Sequence, residues 1–206
     1  MTKTKEKLQA INWPHLGMEV FSIVLGVLLA LSANQWQQNR QKDNQVQTAL
    51  VHIRHELARN QQWLENRIAY HQPIIEQMNS LIPQIQPNDR GYDFPEKLPL
   101  PEELGMDKGL GTSPGMRNVA WTTTGDIRSE VGYEKLFILA EVYMKIEELE
   151  VAEAEAVESF TQFRRSMITG EHKAFAIIEL SSSLTDLILR EQELAQLIQT
   201  SLGELP

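Results

Sequence analysis

Residues 20–33 read VFSIVLGVLLALSA, fourteen positions without a charge. Extended back to Leu16, the run covers eighteen residues interrupted only by Glu19. Trp13 and Trp36 bracket it, twenty-four residues apart counted inclusively. As a helix rising 1.5 Å per residue, that interval spans about 35 Å. A bilayer's hydrocarbon core is about 30 Å thick, and indoles favour its two interfaces. Residues 16–36 are therefore read as a transmembrane helix, with Trp13 and Trp36 as interface anchors. A cleaved signal peptide fits the same residues, with Ala30-Leu31-Ser32 as its small-x-small site. So does a buried soluble helix, because fourteen uncharged residues are few for a span. The aromatic bracketing, and the smooth passage into helix-favouring residues, favour the membrane.

Lys3, Lys5 and Lys7 precede the span, whereas Arg40 and Lys42 follow it. The positive-inside rule then predicts a short cytoplasmic tail, residues 1–15, and a far-side domain, residues 37–206. One face of the span carries Ser22, Gly26 and Ala30 at four-residue steps, with Glu19 and Ala33 three residues beyond. Small residues at that spacing let two backbones approach, so this face is a candidate helix–helix contact; chance explains it equally well. Glu19 is a candidate pairing group in the membrane, although a carboxylate near the boundary ordinarily reaches the headgroups.

The net charge of −9 is unevenly spread. Residues 1–45 hold five Lys/Arg against three Asp/Glu, and residues 46–206 hold fourteen against twenty-five. An acidic domain lacks the basic footprint that phosphate backbones require, so nucleic acid is not an expected partner. The chain contains no cysteine, which excludes disulfides, thiolate metal sites and cysteine nucleophiles.

Beyond the span, Val46, Leu50, Ile53, Leu57, Leu64, Ile68, Ile75, Met78, Ile82 and Ile85 recur mostly at steps of three, four or seven. That is the stripe of an amphipathic helix in a bundle, with a frame shift between Leu64 and Ile68 that reads as a stutter. Asn60 and His71 fall on or beside it, and Pro73 is expected to bend the helix near Ala69. Residues 83–118 are dense in Pro and Gly, which predicts a long irregular loop. A short helix is expected around Trp121, tucked into the core by its indole. A long helix follows over 133–169, striped by Leu136, Leu139, Tyr143, Ile146, Leu149, Val157, Phe160, Phe163 and Met167. Gly170 stops it, and a last helix over 171–202 carries Ile177, Leu180, Leu184, Leu187, Leu194 and Ile198, ended by Gly203 and Pro206. The expected fold is all-α: an N-terminal transmembrane helix continuing into an elongated antiparallel helical bundle. So thin a bundle has a narrow core, which makes self-association an expectation as well.

Two stretches resemble a known group. Met18-Glu19, the run VFSIVLGVLLALSANQW, and then Leu50, Ile53, Glu56-Leu57, Asn60 and Leu64 are similar to an uncharacterised family of bacterial single-span envelope membrane proteins. Ala120-Trp121 leading into Leu139-Ala140 and Tyr143 forms a looser match. There the family carries Ser/Thr-Gly-Ala-Leu, and this chain has Thr122-Thr123-Thr124-Gly125-Asp126-Ile127. The resemblance implies a bacterial inner-membrane protein of helical content, and it implies no catalytic residues.

The remaining chemistry is sparse. His52 and His55 sit one turn apart beside Glu56, too few ligands for a metal site and more simply surface histidines. Glu147, Glu148, Glu150, Glu153, Glu155 and Glu158 read as a solvated face on which a cation or a basic partner has room to dock. Ser181-Ser182-Ser183 lies within a helix, without the turn that exposes a nucleophile. No catalytic residue, cofactor or metal is expected. The function expected is a membrane-anchored structural or interaction protein of the bacterial envelope, partnered by lipid and by itself or another envelope protein. A sensory or regulatory ectodomain is the alternative.

Overall fold

A computed structural model describes residues 13–88, 91–93, 104–106, 110, 118–125 and 130–205. The protein is helical, with α1 over Trp13–Leu81, α2 over Val119–Thr123, α3 over Tyr133–Thr169 and α4 over Lys173–Glu204. A 3-10 turn, Ile82–Gln84, follows α1. Most of the expected tail and of the expected loop over 83–118 lies outside the described residues, as does the Trp13 side chain.

Packing divides the chain into Met1–Gln45 and Val46–Pro206. In the first unit every described side chain from Met18 to Gln45 is exposed. One helix among the described residues is long and apolar enough to cross a membrane, and its most apolar eighteen-residue window is wholly uncovered by protein. Trp36 lies there beneath the Arg40 guanidinium, 4.3 Å from ring centroid to carbon.

In the second unit three long helices bury one cluster of apolar side chains. A run of buried positions on α1 alternates by three and four without a break, Leu50, Ile53, Leu57, Asn60, Leu64, Arg67, His71, Ile74 and Met78, with Ala49, Glu56 and Ile75 buried beside it. The expected stutter is therefore absent. Ile68 is only half-buried, and the heptad passes through Arg67 instead. On α3 the same rhythm runs Leu139, Val142, Ile146, Leu149, Glu153, Ala156, Phe160 and Phe163, where Glu153 is half-buried and the rest buried. Val157, expected on the stripe, is exposed while Ala156 takes the inward position. On α4 it runs Ile177, Leu180, Leu184, Leu187, Glu191, Leu194, Ile198 and Ser201. Each helix thus keeps a continuous 3.5-residue period by admitting polar residues into its seam.

Pro73 lies inside α1, which runs on through it. Two expected boundaries move, both of α4. Gly170 (φ 79°) adopts the left-handed conformation that terminates α3, and His172 (φ 54°) does so as well, delaying the start of α4 to Lys173. At its other end α4 continues through Gly203 to Glu204. The described residues also include one antiparallel pairing, β1 (Gln86–Asn88) with β2 (Gly91–Asp93), in register Gln86 to Asp93. A two-stranded ribbon leaves an edge on each side, and an edge strand tolerates the missing N–H of Pro87.

Polar bonds between helices fix their register. Arg54 Nη1 donates to the Leu205 carbonyl at 2.8 Å, His71 meets Glu191, and Ser181 Oγ donates to Asn79 Oδ1 at 2.7 Å. Between α3 and α4, Ser159 and Ser183 share a bond of 2.8 Å.

Candidate functional site

The seam of this unit carries two buried polar layers, and each draws on several segments. The first centres on Glu56 of α1, 3% exposed. Tyr143 Oη of α3 donates to Glu56 Oε1 at 2.7 Å, and the Ala120 backbone N–H of α2 donates to Oε2 at 2.9 Å. The Trp121 indole stacks on the Tyr143 ring, centroids 4.9 Å apart and planes inclined 7°. Trp121 itself is half-buried rather than enclosed, so it covers the layer from its rim. Burial, aided by the bond to Glu56 and its charge, pushes the Tyr143 phenol far above its ordinary value of 10.0. The phenol therefore stays a donor, and the carboxylate's two oxygens are both met. Glu56, Ala120, Trp121 and Tyr143 come from the two stretches that carry the resemblance, and they meet here.

The second layer sits at Arg67 and His71, one helical turn apart on α1. Arg67 Nη1 donates to Glu153 Oε1 of α3, and Arg67 Nε lies 2.7 Å from Glu191 Oε1 of α4. The Arg67–Glu191 contact is one of charge, since Nε and Nη2 make no aligned hydrogen bond among the described residues. The guanidinium carbon also lies 4.5 Å from the centroid of Trp63. His71 Nδ1 is 3.0 and 3.1 Å from the two Glu191 oxygens, and Nε2 is 2.9 Å from the Leu110 carbonyl. His71 and Glu191 are both fully buried. Among the described residues, the hydrogen-bond partners of this ring are acceptors. A neutral imidazole has one N–H and satisfies one of them, whereas an imidazolium donates to both.

Burial raises the Glu153 carboxyl above its ordinary value of 4.5, outweighing the opposing pull of Arg67. The layer also holds the segment that contains Leu104, Met106 and Leu110, all buried. Beside the His71 contact to Leu110, Tyr70 Oη donates to the Gly105 carbonyl at 3.0 Å. Adjacent residues of α1 thus grip two carbonyls of that segment while its apolar side chains enter the core.

The residues singled out from sequence divide sharply. Ser22, Gly26, Ala30, Ala33 and Glu19 are exposed on α1, and a methyl group added at Gly26 meets nothing within 4 Å. Trp36 is exposed, and the Trp13 side chain lies outside the described residues. His52 and His55 are exposed, and no metal-holding group of His, Asp or Glu occurs among the described residues. The acidic face needs one correction: Glu153 leaves the solvent-facing set to meet Arg67, whereas Glu147, Glu150, Glu155 and Glu158 are exposed. Ser181 and Ser183 serve as links between helices. Sequence reasoning missed Arg67 and Glu191. The available signal was a gap in each apolar stripe, at 67–71 on α1, at 153 on α3 and at 187–194 on α4. Comparison with family models, with curated proteins and with solved structures gave no match.

Proposed function

We propose that this chain is a single-span interaction protein of the bacterial inner membrane, akin to the envelope family it resembles. Its N-terminus is cytoplasmic and its helical unit periplasmic, an antiparallel bundle that presents surfaces to itself or to another envelope protein. The observation that carries this reading is the uncovered run from Val20 to Ala33. Fourteen consecutive uncharged side chains, mostly apolar and without protein cover, are costly in water and at home in lipid. The bundle is supported by the order of the polar contacts: partners on α4 descend in number as those on α1 ascend, and Glu56–Tyr143 and Arg67–Glu153 ascend together.

The test combines fractionation with labelling. Full-length protein is expected in the membrane pellet after carbonate washing. Because the chain lacks cysteine, Ser182→Cys should react with an impermeant maleimide in intact spheroplasts and Thr4→Cys only after lysis. Recovery in the aqueous fraction without detergent overturns the anchor, and the reverse labelling pattern overturns the orientation.

A second reading, a regulatory ectodomain, has its own observation. Four ionisable groups from three helices occupy one core layer, where well-packed apolar residues are often the more stable choice. Such a layer makes packing sensitive to anything that moves a proton or one helix.

A further inference from the structure

Helix α3 carries a second seam that faces away from the core. Tyr133, Phe137, Ala140, Met144, Glu147, Val151 and Ala154 follow one another by four and three, and all are exposed. Phe137 is 62% exposed, Met144 52% and Val151 59%. On a helix this spacing brings the residues into one straight stripe, and the 3.5-residue period is the pattern that a second helix packs against. A scatter of single surface hydrophobes needs no explanation, but a contiguous stripe does.

The charges beside the stripe say what kind of helix fits. Between Tyr133 and Glu158 the helix has eight glutamates and two lysines. Glu141, Glu148 and Glu155 recur every seven residues along one border, Glu150 stands on the other, and Glu147 lies within the stripe. Glu148 is engaged by Lys145 at 2.8 Å and Arg190 at 3.8 Å, which leaves Glu141, Glu147, Glu150 and Glu155 as the acidic frame. A second copy of the same face would set glutamate against glutamate across the contact, which destabilises a seam.

We propose that the outer face of α3 is a docking surface for an amphipathic helix flanked by lysine or arginine, contributed by a different protein. Phe137, Met144 and Val151 receive its apolar stripe. Glu141, Glu147, Glu150 and Glu155 select its basic borders. This deepens the interaction reading by naming the partner's chemistry, and it does not depend on the membrane anchor.

The test uses full-length protein in nanodiscs of zwitterionic lipid, with empty discs as the control. Three labelled synthetic peptides serve as probes: an amphipathic helix with a leucine seam and lysine borders, the same helix with glutamate borders, and a scramble of the lysine peptide. Fluorescence anisotropy should show the lysine-bordered helix binding at least tenfold more tightly than either of the others. The exposed-site double variant Phe137→Ser/Met144→Ser should weaken that binding at least tenfold while leaving the circular dichroism spectrum unchanged. Glu141→Lys/Glu155→Lys should invert the preference between the two amphipathic peptides. Equal binding of the scramble, or undiminished binding by the serine variant, overturns the proposal. So does self-association that the serine variant abolishes, because the face then belongs to a second copy. Should fractionation find no anchor, the same titration runs on full-length protein in buffer with the same outcomes, so the two readings fail separately.

Discussion

His71 and Glu191, 120 positions apart in the chain, form a fully buried pair in which one ring nitrogen lies within 3.1 Å of both carboxylate oxygens. The same carboxylate meets Arg67, so Glu191 is the partner shared by Arg67 and His71. Removing it takes one of two carboxylates from the buried Arg67 guanidinium and leaves His71 Nδ1 without this partner. Glu191→Ala is expected to destabilise the protein by about 3–5 kcal/mol, the range for a broken buried pair. Replacing the whole set with apolar residues of similar volume, as in Arg67→Met/His71→Leu/Glu153→Leu/Glu191→Leu, should cost far less or nothing. Urea unfolding followed by circular dichroism distinguishes the two. A quadruple variant as unstable as the single one would show that the layer matters for its shape and not its charge.

The grip of α1 on the segment around Leu110 depends on the His71 Nε2 donor. His71→Leu keeps the volume and removes both bonds. Hydrogen exchange is expected to accelerate at Leu104–Met106 and Leu110, beyond any change at Ile146 or Leu184 in the apolar layers. Uniform acceleration throughout the helices would mean that the substitution unfolds the unit and spares no segment.

Glu153 gives the pH dependence a sign. Its carboxyl is raised in the folded protein, so the native state holds the proton more tightly than the unfolded chain does. Stability from this group then falls as pH rises from the ordinary carboxylate value of 4.5 through the raised one, and is level above it. Thermal midpoints of wild type and Glu153→Gln should converge toward acid and diverge across that window, the wild type losing ground. A difference that grows in the opposite sense would place Glu153 below its ordinary value.

Tyr143 Oη donates to Glu56 Oε1, and the Ala120 N–H donates to the other oxygen of that carboxylate. Tyr143→Phe removes the donor to the buried Glu56 Oε1, which costs about 1–3 kcal/mol. Spectrophotometric titration of the wild type should find one phenol among the four tyrosines ionising only when the protein unfolds. Four phenols titrating together in the folded protein would contradict the bond.

In the apolar run, Leu25→Arg/Leu28→Arg should shift the protein out of the membrane fraction. Each arginine near the middle of a span costs about 2.5–3.5 kcal/mol on insertion scales. Unchanged pelleting after carbonate washing would count against the proposed span.

The extent of the long helices was legible in sequence because their ends carry local signals. Gly170 stops α3 by its left-handed backbone, and the interval from Tyr133 to Thr169 contains neither Gly nor Pro. The α4 start was two residues off because His172 takes a left-handed conformation that no residue type announces reliably. The polar layers were not legible. Arg67, Glu153 and Glu191 each look like a break in an apolar pattern, and a break has no local mark that separates a solvent-facing slip from a buried charge. Only the meeting of positions 86 and 120 residues distant in sequence distinguishes them, and periodicity within one helix does not contain that distance. The position of Glu56 is visible in the α1 pattern, whereas its partners Tyr143 and Ala120 lie on other elements.

The mixed seam constrains how these helices are able to move. A helix lined only with leucine and isoleucine can slide a full turn, about 5.4 Å, and find similar neighbours again. Here the same piston stroke of α1 would carry Arg67 away from Glu153 and Glu191 together, and draw His71 off the Leu110 carbonyl. The ionic layer is a detent: axial sliding of one helix alone parts these contacts, and displacement of the three as a block is the motion that keeps them.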